Sequence, residues 1–151
     1  MASQTTHFDH IAAFVDDSGA ANAALEAGIA LRSLSGGRLS VVHIVPSPAF
    51  LLSLAASVGG AVVHDDAMEI EAAQMWLDEL VHDIEGAEAV LLEGNPPKRA
   101  CEWAEEAEVD VMIATRHRGR VERTLLGSFA GHLSHHAPSA VLLTQPAEES
   151  I

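Results

Sequence analysis

The chain has 151 residues, 48% of them hydrophobic and 20% charged, which suits one soluble globular domain spanning 1–151. Its formal charge of −14 argues against a nucleic-acid backbone or an anionic lipid surface as partner, because both are held by clustered Lys and Arg. Cys101 is the sole cysteine, so no intrachain disulfide is possible, and nothing in cysteine usage suggests an oxidising compartment.

Phe8 to Val15 (FDHIAAFV) has the continuous apolar character of a short buried strand and ends in Asp16-Asp17-Ser18. Ser18 is a candidate N-cap for a helix with Ala21, Leu25, Gly28 and Ile29 at helical spacing, stopped by Gly36-Gly37. Arg38 to Val45 (RLSVVHIV) is a second strand, closed by Pro46. From Pro46 to His64 the pattern is ambiguous: Phe50, Leu51, Leu52 and Leu54 suit a short helix, a lid or an interface. A helix over about 65–85 carries Ala73, Leu77, Leu80, Val81 and Ile84 on one stripe, with Gly86 at its end. Ala89 to Glu93 is a third strand. Gly94-Asn95-Pro96 then supplies a turn, an N-cap and a first-turn proline for a helix facing inward through Ala100, Trp103, Ala104 and Ala107. Val109 to Ala114 is a fourth strand, Ser128 to Ala137 a helix stopped by Pro138, and Ser139 to Thr144 a fifth strand.

Alternating strands and helices predict an α/β fold, a five-stranded parallel sheet with right-handed crossovers and helices on both faces. No linker or internal repeat divides the chain. The most apolar run, 49–63, is too short to span a bilayer, and MASQTTHFDH lacks the basic and apolar regions of a secretory leader, so a cytoplasmic location is expected.

The chemistry concentrates between strand four and the last helix, in IATRHRGRVERTLLGS (113–128). Four of the chain's eight basic residues, Arg116, Arg118, Arg120 and Arg123, stand in this stretch of an acidic protein. A strand, a basic loop and a Gly-Ser helix entry suit an anion site, because unpaired N–H groups and the helix dipole face the loop; the alternative is a solvated basic turn. Ligands of such sheets lie beyond the carboxyl ends of the strands where strand order reverses, so Asp16 and the loop would share one crevice if strands one and four are neighbours. The helix-spaced His132, His135 and His136 could be mistaken for a metal centre, but no fourth ligand is visible. His43, Trp76 and Trp103 suit packing, and Glu105, Glu106 and Glu108 a solvated face. No general base stands out beside the loop, which disfavours an enzyme.

Taken together, VDDS (15–18), VVHIV (41–45), EGNP (93–96), ATRHRG…LLGS (114–128) and HHAPSAVLL (135–143) resemble the universal stress protein family in order and spacing. The resemblance implies a Rossmann-like sheet of order 3-2-1-4-5, dimers paired through the last strand and, in one subfamily, ATP held by Gly-x-x-Gly, nine residues, then Gly-Ser. It implies that Asp16 lies near the nucleotide and that Ile44 meets the adenine. Ala114 and His117 occupy the two Gly-x-x-Gly positions, with Arg118 beside them, and Gly127, Ser128 and Phe129 match the phosphate-binding end. The spacing is kept but both early glycines are replaced, and Asp17 stands where glycine is common. Three functions compete. One is a regulatory module binding ATP or another adenine nucleotide, with or without Mg²⁺; another is a dimeric interaction module without nucleotide, acting on an unidentified protein partner; the third is an enzyme hydrolysing or transferring phosphate, with at most weak ATP hydrolysis expected. A homodimer is expected through the apolar edge at Val141, Leu142 and Leu143.

Overall fold

A computed structural model describes residues 7–18, 22–60, 66–116 and 126–145. Five short strands form one parallel sheet: β1 (His10–Phe14), β2 (Arg38–Pro46), β3 (Ala87–Gly94), β4 (Val111–Thr115) and β5 (Ala140–Thr144). Their order is β3-β2-β1-β4-β5, as the resemblance implied. The chain builds outward from β1 to β3, then returns to lay β4 against the other side of β1.

Strand alternation sorts the side chains into two cores. Ile11, Ala13, Val15, Leu39, Val41, Val111 and Ile113 project to one face. There they meet α1 (Asn22–Ser35) and α3 (Asp66–His82) through Ala24, Leu25 and Leu77. Ala12, Phe14, Val42, Ile44, Met112 and Ala114 project to the other. They are covered by α4 (Pro96–Glu106) and α5 (Leu126–His136) through Ala100, Ala104 and Leu133. The central β1 and β4 are buried throughout, which is why they read as unbroken apolar runs. Gly28 lets α1 sit close on the sheet: a Cβ there would lie 3.0 Å from Leu39 Cδ1 and 3.2 Å from the Ala13 methyl.

The ambiguous stretch after β2 contains a helix, α2 (Pro48–Val58). Ser47 caps it by accepting from the Phe50 N–H at 3.2 Å, Pro48 occupies its first turn, and left-handed Gly59 ends it. The two expected caps fare differently. The Ser18 hydroxyl donates to Asp16 Oδ1, and its capping of α1 falls at residues outside the described ones, since α1 is described from Asn22 onward. Asn95 holds the N-cap position of α4 but makes no side-chain capping bond.

Element ends shift for local reasons. β3 extends to Ala87–Gly94 because β2 offers matching partners from Leu39 to Pro46, and an edge strand tolerates the exposed Glu88. α3 stops at His82, and turn bonds from Ile84 N to Val81 O and from Ala87 N to Ile84 O replace its last expected turn. β4 begins at Val111, because Val109 N is still bonded to Ala104 O and closes α4. Among the described residues, no helix is long and apolar enough to cross a membrane.

Candidate functional site

The order of strands reverses between β1 and β4, and the carboxyl ends of these two strands bound the crevice where such folds take ligands. Their register pairs Ala13 with Ile113; continued past the paired residues, it sets Asp16 level with Arg116. On the other side β1 pairs Phe14 with Val42, and the same continuation sets Asp16 level with Ile44. The sequence-predicted residues Asp16, Ile44 and Ala114 therefore converge on one end of three neighbouring strands.

Each arrives in a different environment. Asp16 is half-buried, and its Oδ1 accepts from the Ser18 N–H at 2.8 Å and from the Ser18 hydroxyl. This i to i+2 bond folds the segment after β1 into an Asx-type turn. Ile44 and Ala114 are buried among the side chains under α4 and α5. Phe129 packs against that same cluster, its ring 5.7 Å from Phe14. Gly127 and Ser128 lie in the first turn of α5. The Ser128 side chain, and all of His117, Arg118, Arg120 and Arg123, fall outside the described residues. Arg116 is exposed, and its backbone N–H donates to Thr144 O at 2.7 Å.

Sequence reasoning missed Thr115 and Thr144. Buried Thr115 ends β4, and its Oγ1 accepts from the Ala24 N–H at 3.1 Å, satisfying a donor in the first turn of α1. It also meets Thr144 Oγ1 at 3.1 Å. The available signal was a small hydroxyl residue closing a fully apolar run, VMIAT. His43 is a satisfied packing residue: its Nδ1 donates to Val15 O at 2.8 Å and its ring meets Trp76 edge-on at 5.0 Å. Trp103 likewise packs edge-on against Phe14. Burial, followed by the charge of Glu102, pushes the half-buried Cys101 thiol up, away from the thiolate form a nucleophile needs.

Asp16 offers a carboxylate to a hydroxyl or cation, and the α5 N-terminus offers backbone donors to an anion. Mg²⁺ fits only as a companion of bound phosphates, since it commonly needs one or two carboxylates plus phosphate oxygens. No group of three or more metal-ligating side chains occurs among the described residues.

The fold has relatives of known structure. A universal stress protein UspA from Lactobacillus plantarum is 19% identical, with a TM-score of 0.65 over 93% of this chain and 99% of that one. A universal stress protein from Archaeoglobus fulgidus, solved in complex with dAMP, is 19% identical, with a TM-score of 0.61 over 92% and 98%. A universal stress protein in complex with cAMP is 16% identical, with a TM-score of 0.59 over 91% and 97%. No protein of curated function matches the sequence significantly. The sequence itself matches the universal stress protein family over residues 7–145. Since that match spans the sheet from before β1 to beyond β5, the chain belongs to the universal stress protein family.

Proposed function

We propose that this chain is a cytoplasmic regulatory protein that binds an adenine nucleotide, ATP in the first instance, in the crevice at the carboxyl ends of β1 and β4. One observation carries the proposal: Asp16, Ile44 and the Ala114–Arg116 segment meet at the switch point of the sheet. The dAMP and cAMP complexes of two relatives support an adenine nucleotide as the ligand class. In this reading Asp16 takes the ribose or Mg²⁺ and Ile44 flanks the adenine. His117 and Arg118 join Gly127 and Ser128 around the phosphates, with Phe129 packed behind them. The protein senses the nucleotide and acts through a protein partner. Gentle purification followed by denaturation and mass spectrometry of the released small molecules tests this. An adenine nucleotide in near-stoichiometric amount is expected, whereas none, together with a flat ATP titration, rejects it.

A homodimer through β5 belongs to the same proposal. β5 is a sheet edge, and Leu142 on it is 41% exposed while Val141 and Leu143 pack inward. An apolar edge of this kind is covered most simply by the same strand of a second copy about a two-fold axis.

A further inference from the structure

At the opposite end of the sheet from the crevice, β1, β2, the edge strand β3 and α4 enclose an open cleft of about 520 Å³. Its polar lining is His10, Arg38 and Glu88, and its apolar lining is Trp103, Ala107 and residues 89–91 of β3. That volume lies within the roughly 300–1,000 Å³ usual for small-molecule sites.

A buried hydrogen-bond chain underlies the cleft. His10 is only 4% exposed and Ser40 is fully buried. His10 Nε2 lies 2.8 Å from Ser40 Oγ, and Ser40 Oγ lies 3.4 Å from Glu88 Oε2. On its other side, His10 Nδ1 is 3.0 Å from the Ala107 carbonyl and also 3.0 Å from a guanidinium nitrogen of Arg38. Those two neighbours make opposite demands. A carbonyl can only accept and a guanidinium can only donate, so a neutral imidazole serves one at a time.

Two arrangements of protons follow. With the proton on Nε2, Arg38 donates to Nδ1, Nε2–H donates to Ser40, and Ser40 donates to Glu88. The Ala107 carbonyl then faces a lone pair. With the proton on Nδ1, His10 donates to Ala107 and Ser40 donates to Nε2. Arg38 and Glu88 are then both released to the cleft. A ligand that engages Arg38 and Glu88 together relieves the conflict at Nδ1 and selects the second arrangement.

That requirement defines the ligand. An anion alone would meet Glu88 in a protein of formal charge −14, and a cation alone would meet Arg38. A small zwitterion satisfies both, and the half-buried Trp103 indole offers an apolar wall beside them. We propose that this cleft is a second ligand site, for an α-amino acid with an apolar side chain. The carboxylate pairs with Arg38, the ammonium pairs with Glu88, and the side chain lies against Trp103.

The probes are L-leucine and the other apolar α-amino acids in turn, with L-leucinamide and N-acetyl-L-leucine as controls lacking one charge each. Calorimetry gives the affinity, the Trp103 indole N–H resonance reports the location, and imidazole ¹⁵N shifts report the His10 tautomer. At least one amino acid should bind saturably, shift the Trp103 resonance and move His10 to the Nδ1–H form. Removing either ligand charge should weaken binding about ten-fold, as should Arg38→Met or Glu88→Gln, the loss of one charge-assisted pair. Both substituted residues are exposed, so the fold is retained, which circular dichroism verifies. The proposal is overturned if no amino acid binds, if the controls bind as well as the amino acid, or if either variant binds it with unchanged affinity.

Discussion

The hydroxyl of Thr115 lies 3.1 Å from the backbone nitrogen of Ala24 and so ties the last residue of β4 to the first turn of α1. The bond belongs to a directed chain. Ala24 N–H donates to Thr115 Oγ1, Thr115 donates to Thr144 Oγ1 at 3.1 Å, and Thr144 donates to the Ala114 carbonyl at 3.3 Å. Each hydroxyl gives one bond and takes one. Three elements that border the crevice are thereby fixed relative to one another without a charged group.

Thr115→Val keeps the shape of that side chain and leaves the Ala24 N–H buried without its acceptor. The expected cost is about 1–2 kcal/mol, the worth of a helix-cap bond plus an unsatisfied donor. Thr115→Ser, which retains the hydroxyl, should cost less than half as much. Urea unfolding of the three proteins checks this, and equal midpoints for Val and Ser would show that the hydroxyl contributes nothing.

Much of this framework was legible in the sequence. The strands of the sheet announced themselves as short apolar runs, because both faces of a parallel sheet are covered. The place of the crevice was legible through Asp16, which follows β1 at the point where strand order reverses. What stayed hidden depended on contacts between distant residues. Nothing local marks Thr115 as the cap of a helix that begins almost a hundred positions earlier. The same holds for His10, whose partners Ser40, Arg38 and Ala107 come from two other elements. The α2 helix was one of three open readings, because its run is apolar nearly all round, with only Ala55 buried, so no stripe distinguishes it.

On α5, His132 and His136 stack with ring centroids 4.4 Å apart. Burial first, and then the charge of His136, hold the His132 imidazole below its ordinary value of 6.5. The folded protein therefore binds fewer protons than the unfolded chain just below pH 6.5, and stability rises with pH in that window. The contribution is complete above pH 6.5 and is lost as pH falls through the folded value. In His132→Gln the drop in urea midpoint between about pH 7.5 and about pH 5.5 should be smaller than in the wild type. A drop of equal size in both would remove His132 as a source of acid sensitivity.

The dimer proposal turns on Leu142, which protrudes from the edge strand β5. Leu142→Lys places a solvated charge where the second copy would pair, a device that natural edge strands use against association. Sedimentation should show a dimer for the wild type and a monomer for the variant, with little change in the unfolding of the monomer. A monomeric wild type at micromolar concentration would end the proposal.

The two replaced motif glycines should behave differently. Ala114 is 2% exposed, and its methyl packs in the cluster with Met112 and Leu133 beneath α5. That methyl serves the core. Ala114→Gly should therefore cost about 1–2 kcal/mol in stability, through lost burial and a more flexible strand, and leave nucleotide affinity within about two-fold. In the proposed site His117 is the functional departure, because an imidazole stands at a position where the resembling ATP motif has glycine. If the ring donates to a phosphate oxygen, binding tightens as pH falls from about 8 to about 6, with proton uptake by the imidazole. His117→Gly then binds more weakly and without that pH dependence. If the ring obstructs the pocket, His117→Gly binds more tightly at both pH values. Calorimetric titration of ATP with Mg²⁺ into the wild type and the two variants separates these outcomes. The direct contact is the expected one, because Arg116, Arg118 and Arg120 stand within three sequence positions of His117 in a chain with only eight basic residues. A large gain in affinity from Ala114→Gly would show instead that its methyl faces the ligand.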